Sequence, residues 1–191
     1  MNVRGERRLA ELRTAAAALL LDEGFDALTH RALSARSGVP LASTTHYFPT
    51  AEALSLAAAE ELAEGWLEQA RATVRSLPAR RTSSTAAVRA LTRIVLGPAP
   101  TSAGLATFYE RYVQAARVPA LREQVVAGNA ELKSLIRQGL ERCGHPVSPA
   151  GCRLLLAALD GLVLTAVAEG VEDPAAAAVR PLARLLDDLS A

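Results

Sequence analysis

Thr29, His30 and Arg31, followed by Leu41, Ala42, Ser43, Thr44, Thr45, His46 and Tyr47, crowd hydroxyls, imidazoles, a guanidinium and methyl groups into two short segments around Gly38. Helices that only fill a core do not carry such a set. Two short apolar-patterned segments joined by a glycine turn are the mark of a helix-turn-helix. There the first helix braces the second, and the N-terminal part of the second enters the major groove of DNA. Leu33, Val39 and Phe48 are the expected packing residues of the pair. Ser43, Thr44, Thr45, His46 and Tyr47 are expected on the outward face, where they would offer donors, acceptors and methyls.

Elements must hold those residues in place. Leu9, Leu12, Ala16, Leu19 and Leu20 recur at three- and four-residue steps, the period of a helix with one buried face, and Gly24 can end it. Thr29 is placed to cap a helix starting at His30, and Pro40 suits the entry to the next. A long helix follows from about residue 51 to 77, opened by Thr50 in an incomplete capping box. After the polar loop "PARRTSST", helices are expected at 83–96, 102–116, 119–142, 149–170 and 174–189. Ser148–Pro149 and Asp173–Pro174 are start signals, and Pro181 should kink or split the last helix. No strand or repeat is convincing. The fold class is all-α, with a helix-turn-helix head over 1–50 and a larger helical body over 51–191.

The stretch "LTHRALSARSGVPLASTTHYFPTAEAL" resembles the DNA-binding segment of the TetR family of bacterial transcriptional regulators. The specific resemblance covers about residues 8–56; the rest is similar in helix number and length. It implies a ligand-responsive regulator, most often a repressor, that occupies an operator and excludes polymerase. It also implies roles. Thr29 would cap its helix and meet a phosphate beside His30, and Arg31 would reach a phosphate or a guanine edge. Leu41, Ala42, Ser43, Thr45 and His46 would line the groove, and Tyr47 would touch the backbone. Two positions depart from the family's habit: Thr45 stands where Tyr is frequent, and Ala51 where Lys is frequent. The missing lysine removes a phosphate contact.

Composition limits the alternatives. Half of the 191 residues are apolar and the net charge is +1, so the chain is globular and not a basic tail. The first fifty residues hold six arginines against five carboxylates. Binding to nucleic acid would therefore rest on placing a few arginines and not on bulk charge. The N-terminal stretch "MNVRGERRLAEL" does not read as a signal peptide, and the most apolar stretch, "LLLAALDGLVLTAVAEGV", carries Asp160 and Glu169 and reads as a buried helix. A cytoplasmic protein without membrane or cofactor is expected, with both cysteines reduced. Cys143, His145 and Cys152 share one loop, but a fourth ligand and a close cysteine pair are missing, so no metal is expected. No nucleophile elbow, P-loop or dinucleotide fingerprint is present, and His145, Asp160 and Tyr109 are isolated; the chain does not read as an enzyme.

Two expectations concern the body. One recognition helix reads too few bases, so a homodimer on a palindromic operator in double-stranded DNA is expected. Its interface is placed on the last two long helices, through Leu155, Leu159, Asp160, Gly161, Leu162, Leu182, Leu185 and Leu186. The second is a pocket for a small, mainly apolar or aromatic effector, lined by Trp66, Leu105, Phe108, Tyr109, Tyr112 and Asn129. A helical adaptor that keeps the fold without binding DNA is the competing reading.

Overall fold

The computed structural model describes residues 3–97 and 100–190, and all regular structure among them is helical. The elements are α1 (Val3–Glu23), α2 (His30–Ser37), α3 (Leu41–Tyr47), α4 (Ala51–Ser76), α5 (Ser84–Leu96), α6 (Ser102–Arg117), α7 (Pro119–Arg142), α8 (Pro149–Ala168) and α9 (Pro174–Ser190). They form two compact units. The first runs to Gly65 and includes Ala106–Val125; the second holds Trp66–Leu105 and Val126–Ala191.

In the first unit, α1 ends at Gly24, whose φ of 81° is left-handed and whose N–H donates to the Leu20 carbonyl at 2.9 Å. α2 begins under the Thr29 hydroxyl, which accepts from Ala32 N–H at 3.1 Å. It ends at Gly38, with φ 69° and an N–H···O bond of 3.0 Å to Ser34. Thr50 caps α4 by accepting from Ala53 N–H at 3.0 Å. Leu12, Ala16, Leu19 and Leu20 of α1 are buried in one cluster with Leu28, Leu33, Val39, Phe48, Leu54 and Ala58. Arg13 clips α1 to α4 through Glu60 at 2.9 Å and Glu61 at 3.1 Å. Surface pairs of this kind contribute about 1 kcal/mol at most, so the leucine cluster is what holds the unit.

In the second unit, α9 packs against both α8 and α5. α5 buries Ala87, Val88, Leu91, Ile94 and Val95 and keeps one exposed face at Thr85, Arg89 and Arg93. Gly139 on α7 lets α5 come close: a Cβ there would lie 2.5 Å from the Ile94 Cδ1. α8 has the length and apolarity of a membrane-crossing helix, with a mean hydropathy of 1.7 over its richest stretch. Here it sends Leu155, Leu156, Leu159 and Val163 into the core of its own unit.

That burial corrects the interface expected from the sequence. Leu155, Leu159, Leu182 and Leu186 are fully covered within the single chain and have nothing left to offer a partner. Asp160, Leu162 and Leu185 are half-buried, and Gly161 is exposed. The apolar groups α8 turns outward are Leu154, 49% exposed, and Leu164, 48% exposed. Pro181 does not split α9, which continues through it. Its missing N–H would have served the carbonyl of Ala177, and both residues are exposed, so water can take that acceptor.

Leu159→Arg should therefore disrupt the second unit itself, because an unpaired guanidinium would be buried among leucines. Cys143 and Cys152, both buried, provide the measurement. In the variant both thiols should react with a thiol reagent without denaturant; labelling as slow as in the parent chain would contradict the assignment.

Candidate nucleic-acid interface

The turn between α2 and α3 is fixed by two serines. Ser34 Oγ donates to the Val39 carbonyl at 2.7 Å, and Ser37 Oγ donates to the Leu33 carbonyl at 2.7 Å while accepting from Val39 N–H at 3.3 Å. With Leu33 and Val39 buried beneath, these bonds set the angle at which α3 leaves the turn. The sequence reading passed over both serines. Their signal was the pattern Ser-x-x-Ser-Gly, in which short hydroxyl side chains can satisfy the carbonyls and N–H groups that a helix end leaves open.

α3 has two clear sides. Leu41, Ala42, Thr45 and His46 are exposed, while Ser43 and Tyr47 are half-buried. Thr44 is wholly buried and its Oγ donates to the Leu41 carbonyl at 2.8 Å, so it belongs to the inner side and not to the outward set. The spacing to Phe48, four residues on, was the available signal. Tyr47 packs against the leucine cluster, and its ring meets His46 edge-on at 5.3 Å between centroids.

Thr29 and Arg31 stand exposed at the start of α2, with His30 half-buried between them. The His30 Nδ1 is enclosed and has no hydrogen-bond partner among the described residues. Arg31 makes no ion pair among the described residues. Arg36, on the same helix, is engaged by Asp22 and by Glu23. The two arginines thus divide: one holds α2 to the end of α1, and the other is left to solvent.

Among the residues expected to receive an effector, Phe108, Tyr109 and Tyr112 come together on the part of α6 that belongs to the first unit. Phe108 lies edge-on to Tyr109 at 5.1 Å and to Tyr112 at 6.0 Å. The Arg111 guanidinium, which the sequence reading left out, sits 4.5 Å over the Phe108 ring and 5.1 Å over the Tyr112 ring. Trp66, Leu105 and Asn129 belong to the second unit, Leu105 buried and the other two half-buried. On the same turns of α6, Thr107 Oγ lies 3.3 Å from the Leu21 carbonyl and 3.4 Å from that of Leu20. A Glu110 carboxylate oxygen accepts from Phe25 N–H at 3.5 Å. These contacts join positions about eighty-five residues apart, and no local pattern announces them.

Cys143 and His145 lie in the α7–α8 connection, whereas Cys152 is inside α8, its Sγ 3.6 Å from the Lys133 carbonyl of α7, so the three do not share one loop. His145 Nε2 donates to the Thr82 carbonyl at 2.8 Å, and the Cys143 carbonyl accepts from Thr82 N–H at 2.9 Å. Burial pushes the Cys152 thiol above its ordinary range, which disfavours the thiolate a metal would need. The described residues contain no group of three metal-ligating side chains.

Comparison with known proteins agrees with this architecture. Residues 82–188 match the family model described as tetracyclin repressor-like, C-terminal domain. Among solved structures, the multidrug binding protein EbrR in complex with proflavin is 30% identical, over 93% of this chain and 99% of that one, with a TM-score of 0.67. A TetR family member from Streptomyces coelicolor A3 is 29% identical over 94% and 98% of the two chains, with a TM-score of 0.65. A TetR transcription regulator from Haloarcula marismortui shares the fold, at 19% identity and a TM-score of 0.71 over 96% and 98%. A search of curated proteins returned no match. The family match spans more than half the chain, so the protein belongs to the TetR family. It is a transcriptional regulator and not an enzyme.

The Thr29 cap yields a prediction independent of any ligand. Thr29→Ala should lower stability in urea by about 0.5–2 kcal/mol, and Thr29→Ser should restore most of it. An alanine variant as stable as the parent would remove the cap from the account of how α2 is held.

Proposed function

We propose that this chain is a repressor that binds a palindromic operator in double-stranded DNA as a homodimer and leaves it when a small apolar or aromatic ligand is bound. The observation that carries the DNA reading is the exposed side of α3, together with Arg31 at the start of α2, which is exposed and makes no ion pair among the described residues. A helix kept only for packing would not hold Leu41 at 46% exposure with Thr45 and His46 beside it. The adaptor reading gives that surface no task. Repression would be steric, through occupancy of a promoter.

Dimerisation is supported by the outer side of α8, where Leu154, Ala157, Gly161, Leu164 and Ala168 are all exposed at helical spacing. An exposed apolar stripe of this kind is the surface a second copy of the chain would cover. Two heads also satisfy what the DNA demands, namely recognition helices about 34–36 Å apart. For the effector, the support is the aromatic cluster on α6 and the relative EbrR, solved with proflavin, with ethidium and with malachite green. Thr107 and Glu110 give that helix a hold on the end of α1. Release then requires the ligand to favour one arrangement of α6 and α1 over another, since equal affinity for both shifts nothing.

A mobility-shift assay with the DNA upstream of the chain's own coding region tests the proposal. Arg31→Ala should weaken binding by about 1–3 kcal/mol if it contacts a base edge, with the melting temperature unchanged. No retention by the parent chain at low salt would favour the adaptor. Leu164→Arg should yield a folded monomer by light scattering, and a folded dimer would move the interface elsewhere. In a thermal-shift screen of aromatic dyes and metabolites, Tyr112→Ala should weaken whichever compound stabilises the parent; an unchanged response would place the effector away from α6.

A further inference from the structure

We infer that α3 selects its DNA mainly through the C5 methyl groups of thymine, with hydrogen bonding to base edges in second place. This rests on the DNA-binding reading and specifies what that surface recognises.

The helix lacks the usual instruments of polar readout. Between Leu41 and Tyr47 there is no Arg, Lys, Asn, Gln, Asp or Glu, the side chains that pair with base edges through two hydrogen bonds or accept from cytosine. Its exposed positions are Leu41, Ala42, Thr45 and His46. Three of these present carbon. Thr45 would count as polar by residue type, but its hydroxyl is turned back on the helix, 3.1 Å from the Ala42 carbonyl and 3.3 Å from the Leu41 carbonyl. Its single proton is engaged there, so the hydroxyl can no longer donate to a base acceptor and is left to accept only, while the γ-methyl gives the exposed side chain an apolar group. Thr44 is buried with its proton on the Leu41 carbonyl.

Leu41 and Thr45 are four residues apart and Ala42 lies three before Thr45, so the three side chains adjoin on one helix face. Four residues of helix cover about 6 Å, roughly two base steps. In the major groove the thymine methyl is the apolar projection available to such a face. Set against other base edges, Leu41 would strip water from donors and acceptors and return no hydrogen bond. A half-site with thymines under Leu41 and Thr45 is therefore favoured, and sites with bare polar edges are disfavoured. His46, Ser43 and Arg31 supply the polar contacts that remain.

The test begins with selection of duplexes from a random-sequence pool by the full-length chain. The enriched duplex is then resynthesised with single thymines replaced by uracil, which lacks only the methyl. Affinity should fall about fourfold for each contacted methyl removed, the value of one buried carbon group. It should return with 5-bromouracil, whose bromine fills the same volume. Two substitutions at one exposed position decide how Thr45 reads. Thr45→Val keeps a methyl and should retain the preference for thymine over uracil, whereas Thr45→Ser should lose it. Leu41→Ala should abolish the preference at its own position and leave the other intact. An enriched site indifferent to uracil, or one lost with Thr45→Val and kept with Thr45→Ser, overturns methyl readout while DNA binding stands. No enrichment over the starting pool overturns both.

Discussion

A seven-residue helix cannot hold its own shape in water, so α3 depends on having its inner edge buried. Thr44 and Phe48 form that edge, both covered, with the Phe48 N–H donating to the Thr44 carbonyl at 2.9 Å. Everything the outward side presents is a consequence. With residue 44 turned in, residues 42, 45 and 46 turn out, and Leu41 in the first turn is exposed beside them. The leucine cluster beneath sets the attitude of the helix, and the Gly38 turn with its two serine clips sets where it starts.

The fold was legible where its causes are local. Thr29, Gly38 and Ser148–Pro149 announce caps and turns because a hydroxyl, a missing Cβ or a fixed φ acts within a few residues of itself. For the same reason the expected helix boundaries lie within about two residues of the observed ones from α5 onward, in line with the ordinary uncertainty of helix ends. Thr44 was misplaced because residue type outweighed position: a threonine was counted as polar surface, although its hydroxyl could be satisfied within its own helix and its body buried. Leu159 failed differently. α8 is apolar on two sides, and composition does not tell which side its own chain covers. The tertiary packing of α8, with α9 against it, makes Leu155 and Leu159 interior while Leu154 and Leu164 remain outside.

The candidate site was legible in its outline and not in its chemistry. Helical spacing placed Phe108, Tyr109 and Tyr112 near one another, and the structure adds the guanidinium of Arg111 over two of the rings. Thr107 and Glu110 could not be read from sequence at all, since their partners lie in and after α1, far away in the chain. Yet these are the contacts that put the aromatic stretch of α6 and the end of α1 into one compact unit with the helix-turn-helix. Thr107 and Glu110 are where α6 meets the end of α1, through the carbonyls of Leu20 and Leu21 and the N–H of Phe25.

The central claim is that two copies of the α3 face are presented together to one DNA duplex. Hydroxyl-radical footprinting on the region upstream of the chain's own coding sequence measures this most directly. The account predicts two protected patches related by a two-fold axis, their centres about one helical turn or a whole multiple of it apart. A single isolated patch, or none at low salt, would contradict it.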